Sequence, residues 1–173
     1  EDTIKAVEEN PYRLVEDVFG IGFKKADKIA EKMGVAADDE YRIRSGIRFT
    51  LSYFAGEGNT FLPQSVLCEK TGQLLDLTID LIDEQLMGMA FEGDIHIENL
   101  DGRNVVFLMP FYMAEQNICR ALSELNSAQL KPIAGQLDSL IARTEAATGI
   151  YLSENQKHAV TTSLNMGVSV ITG

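Results

Sequence analysis

Apolar residues recur every three or four positions along most of the chain, which is the spacing of helices that bury one face. Residues 2–9 fit a helix, and Asn10-Pro11 then supplies an N-cap and a first helical position for the next one. A longer helix is predicted over residues 40–55, preceded by Asp38 and Asp39 as candidate caps and marked by four spaced apolar residues, Ile43, Ile47, Leu51 and Phe54. The pattern indicates a mainly α-helical protein.

The spacing of apolar residues changes in the middle of the chain. After a loop at residues 56–59, residues 60–62 predict a short strand, Pro63 opens a helix to about Leu75, and Thr78 caps another through Met89. Residues 94–98 and 104–108 then have the character of strands, and Asp101-Gly102 between them is a hairpin-turn signal. Helix, helix and β-hairpin follow one another in the order of a winged-helix-like module, which we assign to residues 59–109.

The last third of the chain returns to helical spacing. Pro110 starts a helix to about residue 126, residues 127–132 form a linker, and a helix over 133–147 ends at Gly149. A further helix follows Leu152. The apolar run Val168-Ser-Val-Ile-Thr-Gly173 then resembles a buried parallel strand that enters a phosphate-binding loop. The predicted domains are 1–58, 59–109, a helical connector at 110–149, and the first elements of a P-loop domain at 150–173.

Two short helices flank Gly20-Ile21-Gly22, which predicts a helix-hairpin-helix domain over residues 1–58. Glycine permits positive φ and leaves no Cβ between the backbone and a ligand. The second helix begins near Gly22, so its free N–H groups and positive dipole end form a phosphate site, with Lys24, Lys25 and Lys28 beside it. Ile21 and Ala26 suit a turn that holds two helices close together.

A structural interpretation of the same residues stays open. Gly20 and Gly22 also fit a helix C-cap and a tight turn, and the lysines also fit a solvated helix face. Arg42, Arg44 and Arg48 on the following helix either extend a phosphate-binding face or pair with Asp38, Asp39 and Glu40.

The net charge of −11 argues against general binding of polyanions, since nucleic acid requires local positive charge. Residues 20–34 carry four lysines against two acids, whereas residues 49–126 carry twelve acids against three bases. Any contact with nucleic acid is therefore expected near the hairpin. The winged-helix-like module is a poor candidate, because its second helix and hairpin are acidic.

The remaining chemistry is sparse. Cys68 and Cys119 are far apart and have no neighbouring histidine, so both are expected to be buried, reduced core residues, which fits a cytoplasmic protein and predicts no metal site. No apolar run reaches the length of a membrane span, and the first residues do not have the basic-then-apolar pattern of a secretion leader, so nothing points to secretion. Glu1 in place of an initiator methionine indicates a piece of a longer protein.

Three stretches together resemble the RecD-like superfamily 1 DNA helicases, the exodeoxyribonuclease V alpha-subunit-like proteins of bacteria with a long N-terminal extension. Asn10-Pro-Tyr-Arg-Leu with Phe19-Gly-Ile-Gly-Phe-Lys-Lys-Ala-Asp-Lys-Ile-Ala30 resembles the helix-hairpin-helix region of the family. The stretch from Arg44-Ser-Gly-Ile47 to Thr60-Phe-Leu-Pro63 resembles the segment after it. Leu152-Ser-Glu-Asn-Gln156 with residues 168–173 resembles the entry to the motor domain.

The resemblance implies that Gln156 contacts adenine and that Gly173 is the first Walker A glycine. Ser153 and Gln156 also form a capping-box pattern, which is a structural role compatible with the first. The parent protein is then expected to use ATP and Mg²⁺ and to move 5′ to 3′ on DNA. The residues present offer nothing to hold the β- and γ-phosphates or Mg²⁺, so neither cofactor nor catalysis is expected of these residues alone.

Two functions from different classes follow. The first is an accessory DNA-binding region that contacts the backbone of single-stranded or forked DNA without sequence specificity, beside the motor in cis. The second is a protein-interaction or scaffold module that positions the motor and never meets DNA, which the net charge favours. A nucleotide sensor built on Gln156 is a third and weaker possibility. An exposed positive patch confined to residues 20–32 and the nearby arginines would favour DNA.

Overall fold

The computed structural model describes residues 10–128 and 136–172 together with Val7, but not the side chain of Glu16. The chain divides into two compact units, residues 1–114 and 115–173. The helix expected over 2–9 lies outside the described residues except for Val7. The expected linker also lies partly outside them.

The first unit begins with the helical hairpin. A 3₁₀ turn at Pro11–Arg13 runs into helix α1 (Leu14–Asp17), and α2 (Phe23–Lys32) and α3 (Glu40–Gly56) follow. The side chain of Asn10 accepts a hydrogen bond from the Tyr12 amide, and that of Asp39 accepts from the Tyr41 and Arg42 amides. Both caps act where the sequence predicts them.

A small sheet and two helices complete the unit. Strand β1 (Phe61–Pro63) precedes α4 (Gln64–Leu75) and α5 (Ile79–Glu92), and β2 (Ile95–Leu100) and β3 (Arg103–Leu108) form the predicted antiparallel hairpin. The sheet order is β1-β3-β2, and Phe61 lies opposite Phe107. Asp101 and Gly102 both have positive φ, 51° and 80°, as a tight two-residue hairpin turn requires. Pro63 ends the strand and occupies the N-cap position of α4, so the helix opens at this proline as the sequence predicts.

One hydrophobic core runs through this unit, from Tyr12 in the hairpin to Val106 in the sheet. Ile43, Ile47 and Leu51 form the buried face of α3, which packs against α2 on one side and against α4 and α5 on the other. The helical hairpin and the sheet are therefore joined by shared burial as well as by the chain.

The second unit is helical where it is described. Helix α6 (Met109–Ser127) begins in the first unit and ends in the second, and α7 (Leu137–Thr148) and α8 (Glu154–Asn165) follow. Gly149 ends α7 in the left-handed conformation, with φ of 71°. Among the described helices, none has the length and apolar character to cross a membrane.

Two sequence predictions about burial and strand formation are wrong. Val168–Ile171 is not a strand, because a strand needs a hydrogen-bonded neighbour and the described part of this unit supplies none. Val170 and Ile171 are exposed. Cys119 is also exposed, since α6 buries none of its residues, whereas Cys68 is buried as predicted.

Candidate nucleic-acid interface

The turn of the helical hairpin is closed by one backbone hydrogen bond, from the Ile21 amide to the Val18 carbonyl at 3.2 Å. Gly20 has φ of 85°, which a residue with a side chain adopts only with strain. Gly22 differs from the expectation, because its φ is −90° and its backbone is extended. A Cβ at Gly22 would meet no atom within 4 Å, so the fold itself does not require glycine there.

Gly22 is the N-cap of α2, and no side chain caps this helix. Its carbonyl accepts from the Lys25 and Ala26 amides at 2.9 and 3.2 Å, which starts the helical ladder. The amides of Gly22, Phe23 and Lys24 have no acceptor among the described residues. Three adjacent N–H groups are therefore available to an anion at the positive end of the helix dipole.

Lys24, Lys25 and Lys28 are exposed around this helix start. Lys24 and Lys28 lie one turn apart, and neither forms an ion pair within the described residues. Lys25 has a second role that its sequence position did not reveal, because its Nζ donates to the Gly20 carbonyl at 3.1 Å and so braces the turn. The three lysines predicted from the sequence as phosphate ligands thus lie exposed on the first two turns of α2.

The opposite face of α2 is structural. Phe23, Ala26 and Ala30 are buried, and Ile21 packs against the same core, so the hairpin is held as its small and apolar residues predicted. Asp27, one of the two acids of this helix, accepts a hydrogen bond of 2.6 Å from the Tyr12 hydroxyl and pairs with Arg42. Burial, followed by this hydrogen bond to Asp27, raises the pKa of Tyr12.

The arginines of α3 do not extend the positive surface. Arg42 pairs with Asp27, and Arg44 pairs with Glu92 at 2.7 Å and with Glu40 at 2.6 Å. Arg48 pairs with Asp94. Of the partners considered from the sequence only Glu40 is found, because the other acids come from α2 and α5 or directly after α5. Within the part of the chain that the structure describes, the positive patch at the hairpin therefore consists of the lysines of α2 and does not include the arginines of α3.

Phe19 is a surface residue that the sequence patterns did not single out. Its side chain is fully exposed at the hairpin turn, directly before Gly20. One feature of the sequence could have predicted its exposure. Phe19 lies between a helix end and a turn glycine, a position that places a side chain outside the core whatever its hydrophobicity.

The expected nucleotide contact lies in the second unit. Gln156 and Ser153 form the capping box that the sequence predicts, with the Ser153 amide donating to Gln156 Oε1 at 2.9 Å. The side-chain NH₂ of Gln156 has no acceptor among the described residues, so it stays available to a ligand. Gly173 lies outside the described residues. Glu145, which the sequence did not indicate, is buried and accepts from the Leu152 amide at 2.8 Å just before this helix.

Residues 1–61 match the family model of the ATP-dependent RecD2 DNA helicase HHH domain. The match covers the helical hairpin and α3 and ends at the first residue of β1. It confirms the resemblance seen in the hairpin residues and supports an N-terminal region of a RecD2-like helicase. A helix-hairpin-helix domain of such a helicase fits an accessory region that binds nucleic acid.

Proposed function

We propose that the start of α2 binds the phosphate backbone of DNA without sequence specificity, as an accessory site of an ATP-dependent helicase. The single observation behind this proposal is the first turn of α2, where Lys24 and Lys25 stand beside three free amides and no acid is present. Gly20, Ile21 and Gly22 shape the turn, and Lys28 adds charge one turn further on.

This helix start is unfavourable for stability unless an anion binds there. Positive side chains near a helix N-terminus oppose the dipole by about 0.3–1 kcal/mol each, and like charges four residues apart cost about 0.2–0.5 kcal/mol. The helices α3, α5, α7 and α8 instead carry an acid in the first turn: Glu40, Asp80, Asp138 and Glu154. A bound phosphate would remove both penalties at the start of α2.

Salt-dependent binding tests the proposal. Neutralising two or three phosphates gives a slope of log K against log salt of roughly −2 to −3. Fluorescence anisotropy of labelled single-stranded and forked DNA, titrated with the whole chain at several salt concentrations, measures it. Lys24→Ala with Lys28→Ala should flatten the slope by about 1–2 units, and this pair leaves the Lys25 hydrogen bond to the turn intact.

Two further variants separate charge from backbone geometry. Gly22→Ala places a methyl group where the fold has open space, so it should keep the fold and weaken binding through contact with the ligand alone. Lys70→Ala on α4 removes an exposed lysine outside the hairpin and should leave the slope unchanged. If the wild type does not bind, or the double lysine variant binds equally well at low salt, the hairpin is structural.

A second candidate function, a scaffold that positions the motor domain without binding DNA, is favoured by the arginines of α3. Arg44 and Arg48 are directed to Glu92 and Asp94, and the exposed acids of α5 would repel phosphates. The same titration separates the two functions, since a scaffold shows no salt-dependent affinity for DNA in either the wild type or the variants.

The proposal extends to the parent protein and its location. Residues 59–109 would be a winged-helix-like module, and residues 110–149 a connector to a motor domain that starts at 150, in a cytoplasmic helicase that moves 5′ to 3′ with ATP and Mg²⁺. The free NH₂ of Gln156 supports a contact with adenine, because the cap uses only the Oε1 side of the amide. Gly173 would begin the phosphate loop.

A further inference from the structure

Phe19 occupies the outer corner of the hairpin turn. Val18 to Ile21 form a four-residue turn closed at 3.2 Å, and Gly20 at its third position has φ of 85°, which is the geometry of a type II turn with Phe19 second. A side chain at the second position points away from the turn, so the ring packs on no described part of the fold and is fully exposed.

The turn does not require a phenylalanine. The second position of a type II turn accepts most residues and favours proline. A single exposed apolar side chain is common on protein surfaces and by itself indicates nothing. The surroundings of Phe19 give it significance: the ammonium of Lys25 lies 3.1 Å from the carbonyl of Gly20, the residue after Phe19, and the free amides begin at Gly22.

An aromatic ring beside phosphate ligands is the combination that binds single-stranded nucleic acid, in which bases stack on the ring and phosphates meet the cations. In a closed duplex each base is already stacked on its neighbours and offers no free face. We propose that Phe19 stacks on an unpaired base of DNA whose phosphates the start of α2 holds. The hairpin then prefers single strands, or duplex ends with unpaired bases, over closed duplex.

This inference rests on the proposed phosphate site and names the class of DNA that the site takes. The positive charge around the ring favours DNA over an apolar protein surface, since Lys24, Lys25 and Lys28 would lose solvation in a dry protein interface. Stacking depends on the face of the ring and carries no charge. It should therefore change affinity without changing the salt dependence, which separates it from the lysine contribution.

The experiment compares a labelled single strand with a blunt-ended duplex of the same length, which contains no unpaired base, by anisotropy with the whole chain. Stacking of one base is worth about 1–3 kcal/mol, so Phe19→Ala should weaken single-strand binding about 5- to 150-fold. Duplex affinity should change less than about twofold, and the salt slope should stay the same. Phe19→Tyr should retain single-strand affinity and Phe19→Leu should not, which distinguishes an aromatic face from apolar bulk.

Phe91 on α5 is the matched control, because its ring is also almost fully exposed but lies outside the hairpin. Phe91→Ala should leave both affinities unchanged. If Phe19→Ala has no effect on single strands, or weakens single strands and duplex equally, stacking is disproved. Flattening of the salt slope by the Lys24 and Lys28 substitutions would in that case still support the phosphate site, whereas their failure would remove the proposed function as well.

Discussion

The guanidinium of Arg42 on α3 donates two hydrogen bonds to the carboxylate of Asp27 on α2, from Nε to Oδ1 at 2.9 Å and from Nη2 to Oδ2 at 3.3 Å. Its Nη1 also donates to the carbonyls of Ala37 and Leu75, at 2.7 and 3.1 Å. One side chain therefore links α2, the loop after it and the end of α4. It also neutralises an acid that would otherwise oppose an anion at α2.

Breaking this pair should destabilise the first unit. The side chains of Arg42 and Asp27 are 17% and 24% exposed. Removal of Arg42 leaves the partly buried carboxylate with the Tyr12 hydroxyl but without its counter-charge, and two carbonyls without the Arg42 donor. We expect Arg42→Ala to lower the free energy of unfolding in urea by about 2–3 kcal/mol.

The ion pair between Arg13 and Asp17 is the matched control. Its N···O distance is 3.6 Å, and both side chains are about half exposed. Arg13→Ala should change the free energy of unfolding by less than about 0.5 kcal/mol. If the two arginine variants lose the same free energy of unfolding, the network around Asp27 contributes no more to stability than an exposed ion pair.

Local signals explain why much of the first unit was predictable. The caps at Asn10 and Asp39 and the turn at Asp101-Gly102 act over two or three residues, so the sequence shows them directly. Glu92 and Asp94, which pair with Arg44 and Arg48, lie 48 and 46 positions away from them, and no local pattern specifies these two partners. Phe19 was missed because a hydrophobic pattern assigns phenylalanine to a core, whereas turn position decided its exposure.

Gly72 on α4 should tolerate no side chain. A Cβ there would lie 2.9 Å from the Leu77 carbonyl oxygen. The backbone of Leu77 is held in place because its amide donates to the Gly72 carbonyl at 3.0 Å. We expect Gly72→Ala to lower the free energy of unfolding by about 1–3 kcal/mol, despite the better helix propensity of alanine.

Gly56, the last residue of α3, is the converse case, because a Cβ there would meet no atom within 4 Å. Gly56→Ala should stabilise the protein by up to about 1 kcal/mol in the same urea titration. A loss of stability at Gly56, or none at Gly72, would contradict the packing described for these helices.

The two cysteines should react at very different rates. Cys119 is exposed on α6, whereas Cys68 is 1% exposed and its thiol lies 3.6 Å from Asp83. Ellman's reagent should therefore modify one thiol rapidly in the native protein and the second only on unfolding. Cys119→Ser should abolish the fast phase, and Cys68→Ser should not.

Alkaline pH should destabilise the protein through Cys68. Burial, followed by the charge of Asp83, raises the pKa of its thiol from 9.0 to about 12. The folded state thus keeps the proton that the unfolded state loses, so stability is complete below about pH 9 and falls as the pH rises towards 12. The slope of the free energy of unfolding against pH approaches about 1.4 kcal/mol per pH unit. Cys68→Ala should flatten this slope between pH 9 and 10, a range chosen because it lies below the ordinary pKa of Tyr12.

Hydrogen exchange should find the amides of residues 168–172 weakly protected. These residues form no ladder, and Val170 is 86% exposed. The amides of β3, which lies between two strands, serve as the protected reference. Slow exchange at 168–172 in a demonstrated monomer would contradict the absence of strand pairing.

The single core from Tyr12 to Val106 has a practical consequence for truncation. The family match ends at residue 61, but α3 also packs against α4 and α5, and Gly46 faces the side chain of Leu75. A chain cut at the family boundary would leave Ile47 and Leu51 in contact with water on one side of α3. The hairpin should therefore be produced and studied together with the sheet, since the boundary of the family match lies inside one continuous hydrophobic core.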